Sequence, residues 1–147
     1  MSAIVMWFEF NPTNTNGNFT QTYWTKDGQS GNGKCTCNLG DTFSVGIAPT
    51  DGTTQTSVTN AFVIVSSKDK SNKASPFGTG TQQAVLFPPP NTILNQSSVQ
   101  HTWPIATVAA SSNGKYEITL AAAVTTTTGG TQLAYAEDPE MDVSGTG

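Results

Sequence analysis

Apolar positions along this 147-residue chain fall in short runs, and no window sustains a 3.6-residue period. Ile4 to Phe10 is almost continuously apolar, as a strand buried on both faces would be. A second run, Phe19 to Trp24, ends at Lys26-Asp27-Gly28, and the Gly/Asn/Ser stretch from Gly28 to Gly33 reads as a mobile loop. Cys35 to Cys37 reads as a short strand, and Phe43 to Ile47 alternates with period two, the mark of a half-buried strand. Asn60 to Ser66 is a further buried strand, followed by a polar surface loop from Ser67 to Ser75. Ala84 to Phe87 is a strand stopped by Pro88-Pro89-Pro90, which cannot donate to a ladder. Ile105 to Ala110 leads into Asn113-Gly114, a hairpin signal. Tyr116 to Val124 alternates, Thr125 to Gly130 turns, and Gln132 to Tyr135 pairs back. Asp138-Pro139 then breaks that strand, and an acidic tail begins at about residue 137. Together these elements predict an all-β fold, a single-domain antiparallel β-sandwich of about seven to nine strands over residues 1–147.

Composition sharpens that picture in two ways. Hydrophobic residues make up only 35% of the chain, but charged residues make up 11% and the net charge is −4. Disorder combines low hydrophobicity with high net charge, whereas here the balance is Thr, Ser, Asn, Gln and Gly, and Thr favours strands. An ordered, Thr-surfaced β protein is the consistent reading. The chain contains no arginine, and its six lysines are scattered. Nucleic-acid and anionic-membrane binding lean on concentrated positive charge, so both are excluded as expected partners. No stretch approaches the roughly 20 apolar residues needed to span a bilayer as a helix. The N-terminal run lacks a basic region and a small-residue cleavage site, so a cytoplasmic location is expected.

Several residue groups invite chemical readings. Gly28-Gln29-Ser30-Gly31-Asn32-Gly33-Lys34-Cys35 comes close to a phosphate-cradling loop. Such a loop must open a helix and place a hydroxyl after the lysine; here a strand-like stretch follows and Cys35 takes the hydroxyl's position. A Gly-rich hairpin loop is the better reading. Cys35 and Cys37 would face the same side of a strand, roughly 7 Å apart at their Cα atoms, too far for an undistorted disulfide. Free buried thiols are expected. His101 is the sole histidine and stands in no nucleophile motif, so it reads as a loop histidine and no catalytic residue is assigned. A glycosidase pair built on Glu9 or Glu117 would need a second carboxyl a few ångströms away, which sequence cannot show. Glu137, Asp138, Glu140 and Asp142 crowd the C-terminus and could supply oxygen ligands to Ca²⁺, though their spacing fits no EF-hand. A solvated acidic turn is the simpler reading. Of the tryptophans, Trp7 reads as core, while Tyr23, Trp24 and Trp103 lie at strand ends or in loops. There they could form a stacking platform for a sugar or an ordinary sandwich rim.

The C-terminal stretch from Gly114 through Leu120, and then Tyr135-Ala136-Glu137-Asp138-Pro139-Glu140-Met141-Asp142-Val143, resembles the ending of bacterial inclusion-body proteins of the PixA/AidA type. In those, a final hairpin closes with a Tyr followed by Asp-Pro and a short hydrophobic strand. The resemblance covers about a quarter of the chain. It implies a cytoplasmic β-sandwich that accumulates or assembles, with no catalytic residues to carry over. Two functional expectations follow. One is a non-enzymatic, self-associating structural protein, supported by low charge and by an apolar first strand if that strand lies at a sheet edge. The alternative is a lectin-like module binding a glycan through Tyr23, Trp24 and Trp103, with Ca²⁺ at the acidic tail.

Overall fold

Alternation in the strands becomes two faces, one turned to a shared core and the other outward. A computed structural model describes residues 1–13, 19–68, 76–77, 83–87, 99–108, 114–126, 130–136 and 139–144. The side chains of residues 59–60, 83–87, 103–104, 106, 132, 135 and 144 fall outside that description. Among the described residues there are eleven strands and no helix. They are β1 (Ala3–Phe10), β2 (Phe19–Lys26), β3 (Gln29–Gly31), β4 (Cys35–Asn38), β5 (Thr42–Pro49), β6 (Thr56–Ser67), β7 (Gln83–Phe87), β8 (His101–Thr107), β9 (Gly114–Thr126), β10 (Gly130–Ala136) and β11 (Glu140–Ser144).

Two sheets pack face to face. The first runs β3-β2-β1-β5-β8, and the second β4-β11-β9-β6-β7 with β10 also on β9. Ile4, Met6, Phe8 and Phe10 from β1, with Phe43, Val45 and Ile47 from β5, form one wall of the core. Val58, Val63 and Val65 from β6, with Tyr116, Ile118, Leu120 and Val124 from β9, form the other. The sandwich is therefore as expected, but its sheets are mixed. β1 runs parallel to β5 over eight residues, and β11 runs parallel to β4. The near-continuous apolar run of β1 marks a strand covered on both faces, a pattern parallel strands share, but it does not by itself set the direction of either neighbour.

Four sequence expectations change here. The Gly28–Gly33 stretch is only partly loop: Gln29–Gly31 form β3, and Asp27 and Gly28, both with positive φ, 49° and 80°, close the two-residue hairpin that folds it back onto β2. Positive φ at both central residues is the type I′ geometry that Asp-Gly favours. Gly114 does not turn a hairpin either, because β8 and β9 belong to different sheets; Asn113 lies outside the described residues. The acidic C-terminus is not a solvated turn at residues 140–144, which form β11 between β9 and β4. Met141 and Val143 point into the core while Glu140 and Asp142 point out. Finally, β1 lies between β2 and β5, so it presents no free edge.

A buried polar knot locks the N-terminus to this frame. Asp41, just before β5, accepts hydrogen bonds from the Ser2 amide (2.8 Å) and the Asn38 amide (2.9 Å). It pairs with Lys26 Nζ at 3.1 Å, and that ammonium also donates to Thr36 O. Burial pushes the Asp41 carboxyl upward, but the two amides and the Lys26 ammonium outweigh it and leave its pKa lowered.

Candidate functional site

The outward face of the five-stranded sheet carries the most complete constellation. Paired residues across antiparallel strands share a face, so Trp7 opposite Tyr23 and Glu9 opposite Gln21 all lie away from the core. The two rings stack with centroids 6.2 Å apart and planes 15° from parallel. Trp7 is held from two further directions. Its Nε1 donates to Thr25 Oγ1 at 3.1 Å, and its benzo edge lies flat against Gly46 of β5. A Cβ at Gly46 would stand 2.4 Å from Trp7 Cε3, so only glycine admits the ring there. Trp7 is thus buried, as expected, but on the outer face rather than in the core between the sheets.

Beside this pair is a depression of about 340 Å³ lined by Glu9, Gln21, Tyr23, Ser30, Gly31 and Asn32. Gln21 Nε2 donates to Glu9 Oε1 at 3.0 Å, which orients both groups. The β1–β2 register slips between Glu9 and Phe10, and a bulge of this kind re-aims side chains at the end of a ladder. Tyr23 has its pKa raised, first by burial and then by the nearby Glu9 carboxylate, so the phenol stays a neutral donor. The volume falls within the range of small-molecule sites, and the lining supplies an aromatic wall, a carboxylate, two amides and a hydroxyl.

The residues expected to form a sugar platform are not brought together. Adjacent positions on a strand face opposite sides, so Trp24 lies on the far side of β2 from Tyr23. It is partly buried against the core cluster and covers Gly31, where a Cβ would meet its ring at 2.4 Å. Trp103 is in β8 rather than a loop, with its backbone opposite Val45; its side chain lies outside the described residues. Sequence reading named Glu9 only as a possible glycosidase carboxyl, and missed its place beside Tyr23, the residues Gln21, Ser30, Gly31 and Asn32, and the outward setting of Trp7. The alternation of β2 could have separated Tyr23 from Trp24, but the folding-back of β3 and the pairing with β1 are tertiary facts.

The C-terminal carboxylates serve lysines. Asp142 pairs with Lys34 at 3.1 Å, and Glu140 pairs with Lys68, which lowers its pKa. Glu137 and Asp138 lie outside the described residues. Among the described residues, no group of three or more His, Cys, Asp or Glu side chains is placed to hold a metal. Glu9 and Glu117 sit in different sheets and do not pair as glycosidase carboxyls. His101 is not a loop residue: it opens β8, is buried, and its Nε2 lies 2.8 Å from Thr56 O of the opposing sheet. Cys35 and Cys37 are free, fully buried and on one face of β4, as their spacing implied. Interaction with the neighbouring thiol lowers the pKa of Cys35, and the same interaction, together with burial, raises that of Cys37.

Among the described residues, no helix is long and apolar enough to cross a membrane. Comparison of the sequence with protein-family models and with curated proteins finds no match.

Proposed function

We propose that this domain is a carbohydrate-binding module without catalytic activity, and that its ligand sits in the depression beside Tyr23. The observation that carries this reading is an aromatic ring braced by Trp7 beside a concave surface lined by polar groups, of which Glu9 and Gln21 hold each other by a hydrogen bond. Sugars present apolar C–H faces flanked by hydroxyls. A rigid ring takes the face, and a carboxylate and amides take the hydroxyls. Bracing matters because an aromatic that is already ordered loses little further entropy on binding. A glycan panel tests the reading directly. A bound glycan should lose at least about tenfold in affinity with Tyr23→Ala, and the Tyr23→Phe variant should retain part of it. A panel with no binder, or a binder indifferent to Tyr23→Ala, removes the proposal.

A second reading, self-association, draws on the other sheet. Leu133 on β10 is 80% exposed and Phe62 on β6 is 44% exposed. Leu133 stands opposite Ala123 and Phe62 opposite Ala121, so both flank small side chains on the outward face. Exposed apolar residues beside an open strand favour contact with a second copy. The resemblance of the C-terminal stretch to inclusion-body proteins agrees with this. Light scattering over a wide concentration range should then show mass rising above 15.4 kDa, with Leu133→Lys and Phe62→Lys restoring the monomer. A constant monomer mass removes this second reading. The two readings use opposite faces and do not conflict.

A further inference from the structure

Resting on the carbohydrate reading, we infer that the site takes an amine-bearing saccharide, a glycan with unacetylated glucosamine-type residues, with Glu9 as counterion to the ammonium. The charge inventory leads there. Asp41 is matched to Lys26, Asp142 to Lys34 and Glu140 to Lys68. Glu9 is different. Its one side-chain partner among the described residues is the neutral amide of Gln21, which engages a single carboxylate oxygen. Among the described residues, no lysine lines the depression. A carboxylate so placed leaves the site negative, so the ligand that completes it is positive rather than neutral or acidic.

The aromatic wall points the same way. Tyr23 stands beside Glu9 closely enough that the carboxylate raises the phenol's pKa. A ring face next to a carboxylate attracts an ammonium twice, through the ring quadrupole and through the charge. The amide of Gln21 limits Glu9 to one orientation and leaves its other oxygen for a donor. Ser30 and Asn32 remain for hydroxyls of the same sugar. Uronic and sialic acid glycans would bring a second negative charge against Glu9, and the chain has no arginine to offset it.

Three β-1,4-linked tetramers that differ only at C2 separate the possibilities: glucosamine (amine), N-acetylglucosamine (acetamide) and glucose (hydroxyl). In calorimetric titration the wild-type protein should bind the glucosamine tetramer at least about tenfold more tightly than the other two. Glu9→Gln keeps the hydrogen bond with Gln21 and should abolish that preference. Glu117→Gln, which removes a carboxylate from the other sheet, should preserve it. Thermal melts of each variant separate a lost site from a lost fold. Equal binding of all three tetramers, sensitive to Tyr23→Ala, overturns the amine assignment and leaves the carbohydrate reading standing. A preference that Glu117→Gln reduces as much as Glu9→Gln is general charge attraction, and also overturns it. Binding of none of the three overturns it as well, and the wider panel then decides the carbohydrate reading separately.

Discussion

Gly46→Ala perturbs the brace behind Tyr23 with a single methyl group. The added Cβ would lie 2.4 Å from Trp7 Cε3 and 2.6 Å from Cζ3, where carbon atoms rest at about 3.5–4.0 Å. The indole must therefore retreat by about 1 Å or leave. If it shifts in place, overpacking strain of about 1–3 kcal/mol applies, together with part of the Thr25 hydrogen bond, worth about 1 kcal/mol. If it swings into solvent, loss of about 150–250 Å² of burial at roughly 25 cal/mol per Å² raises the cost to about 4–6 kcal/mol. Backbone conformation does not contribute, because Gly46 is not among the positive-φ glycines. Urea unfolding followed by circular dichroism measures the cost. A double-mutant cycle with Trp7→Ala isolates its origin. Without the ring, Gly46→Ala should be neutral or stabilising by a few tenths of a kcal/mol, through reduced unfolded-state entropy. The reasoning fails if Gly46→Ala costs under about 0.5 kcal/mol in the wild-type background, or costs the same with and without Trp7.

Other expectations rest on the buried polar groups. Asp41→Ala strands Lys26 and two amides, and should cost about 3–5 kcal/mol in urea unfolding; a loss under about 1 kcal/mol would show the knot is not structural. Because the folded Asp41 carboxyl titrates below its ordinary 3.8, its contribution is fully present above that value and is lost as pH falls through the lower, folded pKa. The urea midpoint should therefore drop below about pH 4, less steeply in Asp41→Asn, and identical profiles would refute the assignment. Asp51, held at about 2 by the Thr54 hydroxyl and by the Thr53 and Thr54 amides, acts in the same direction. Cys35 and Cys37 should resist a thiol reagent in the native protein and both react in urea, and prompt native labelling would contradict their burial.

Strand existence and the identity of the core were legible in the chain because period-two alternation is local. Tyr116, Ile118 and Leu120 announce one buried face, and Phe43, Val45 and Ile47 another. The spacing of Cys35 and Cys37 likewise settles that both thiols share a face. Direction and partnership were not legible. β1 and β5 are parallel neighbours separated in the chain by three other strands, and the outcome depends on total burial rather than on either sequence. Met141 and Val143 read as part of an acidic tail because two apolar residues make a weak pattern; β9 and β4 on either side make a strand of them. The candidate site follows the same rule. Tyr23 was recognisable as an aromatic near a strand end. Yet Glu9 and Gln21 meet only when β1 pairs with β2, and Ser30 and Asn32 arrive only when Asp27-Gly28 folds β3 back. The sequence by itself determined which residues alternate in the longer strands and which face of those strands is buried, since both follow from the backbone's own period. Tertiary structure alone decided which outward residues became neighbours, because that requires strands distant in sequence to choose one register among several of similar local energy.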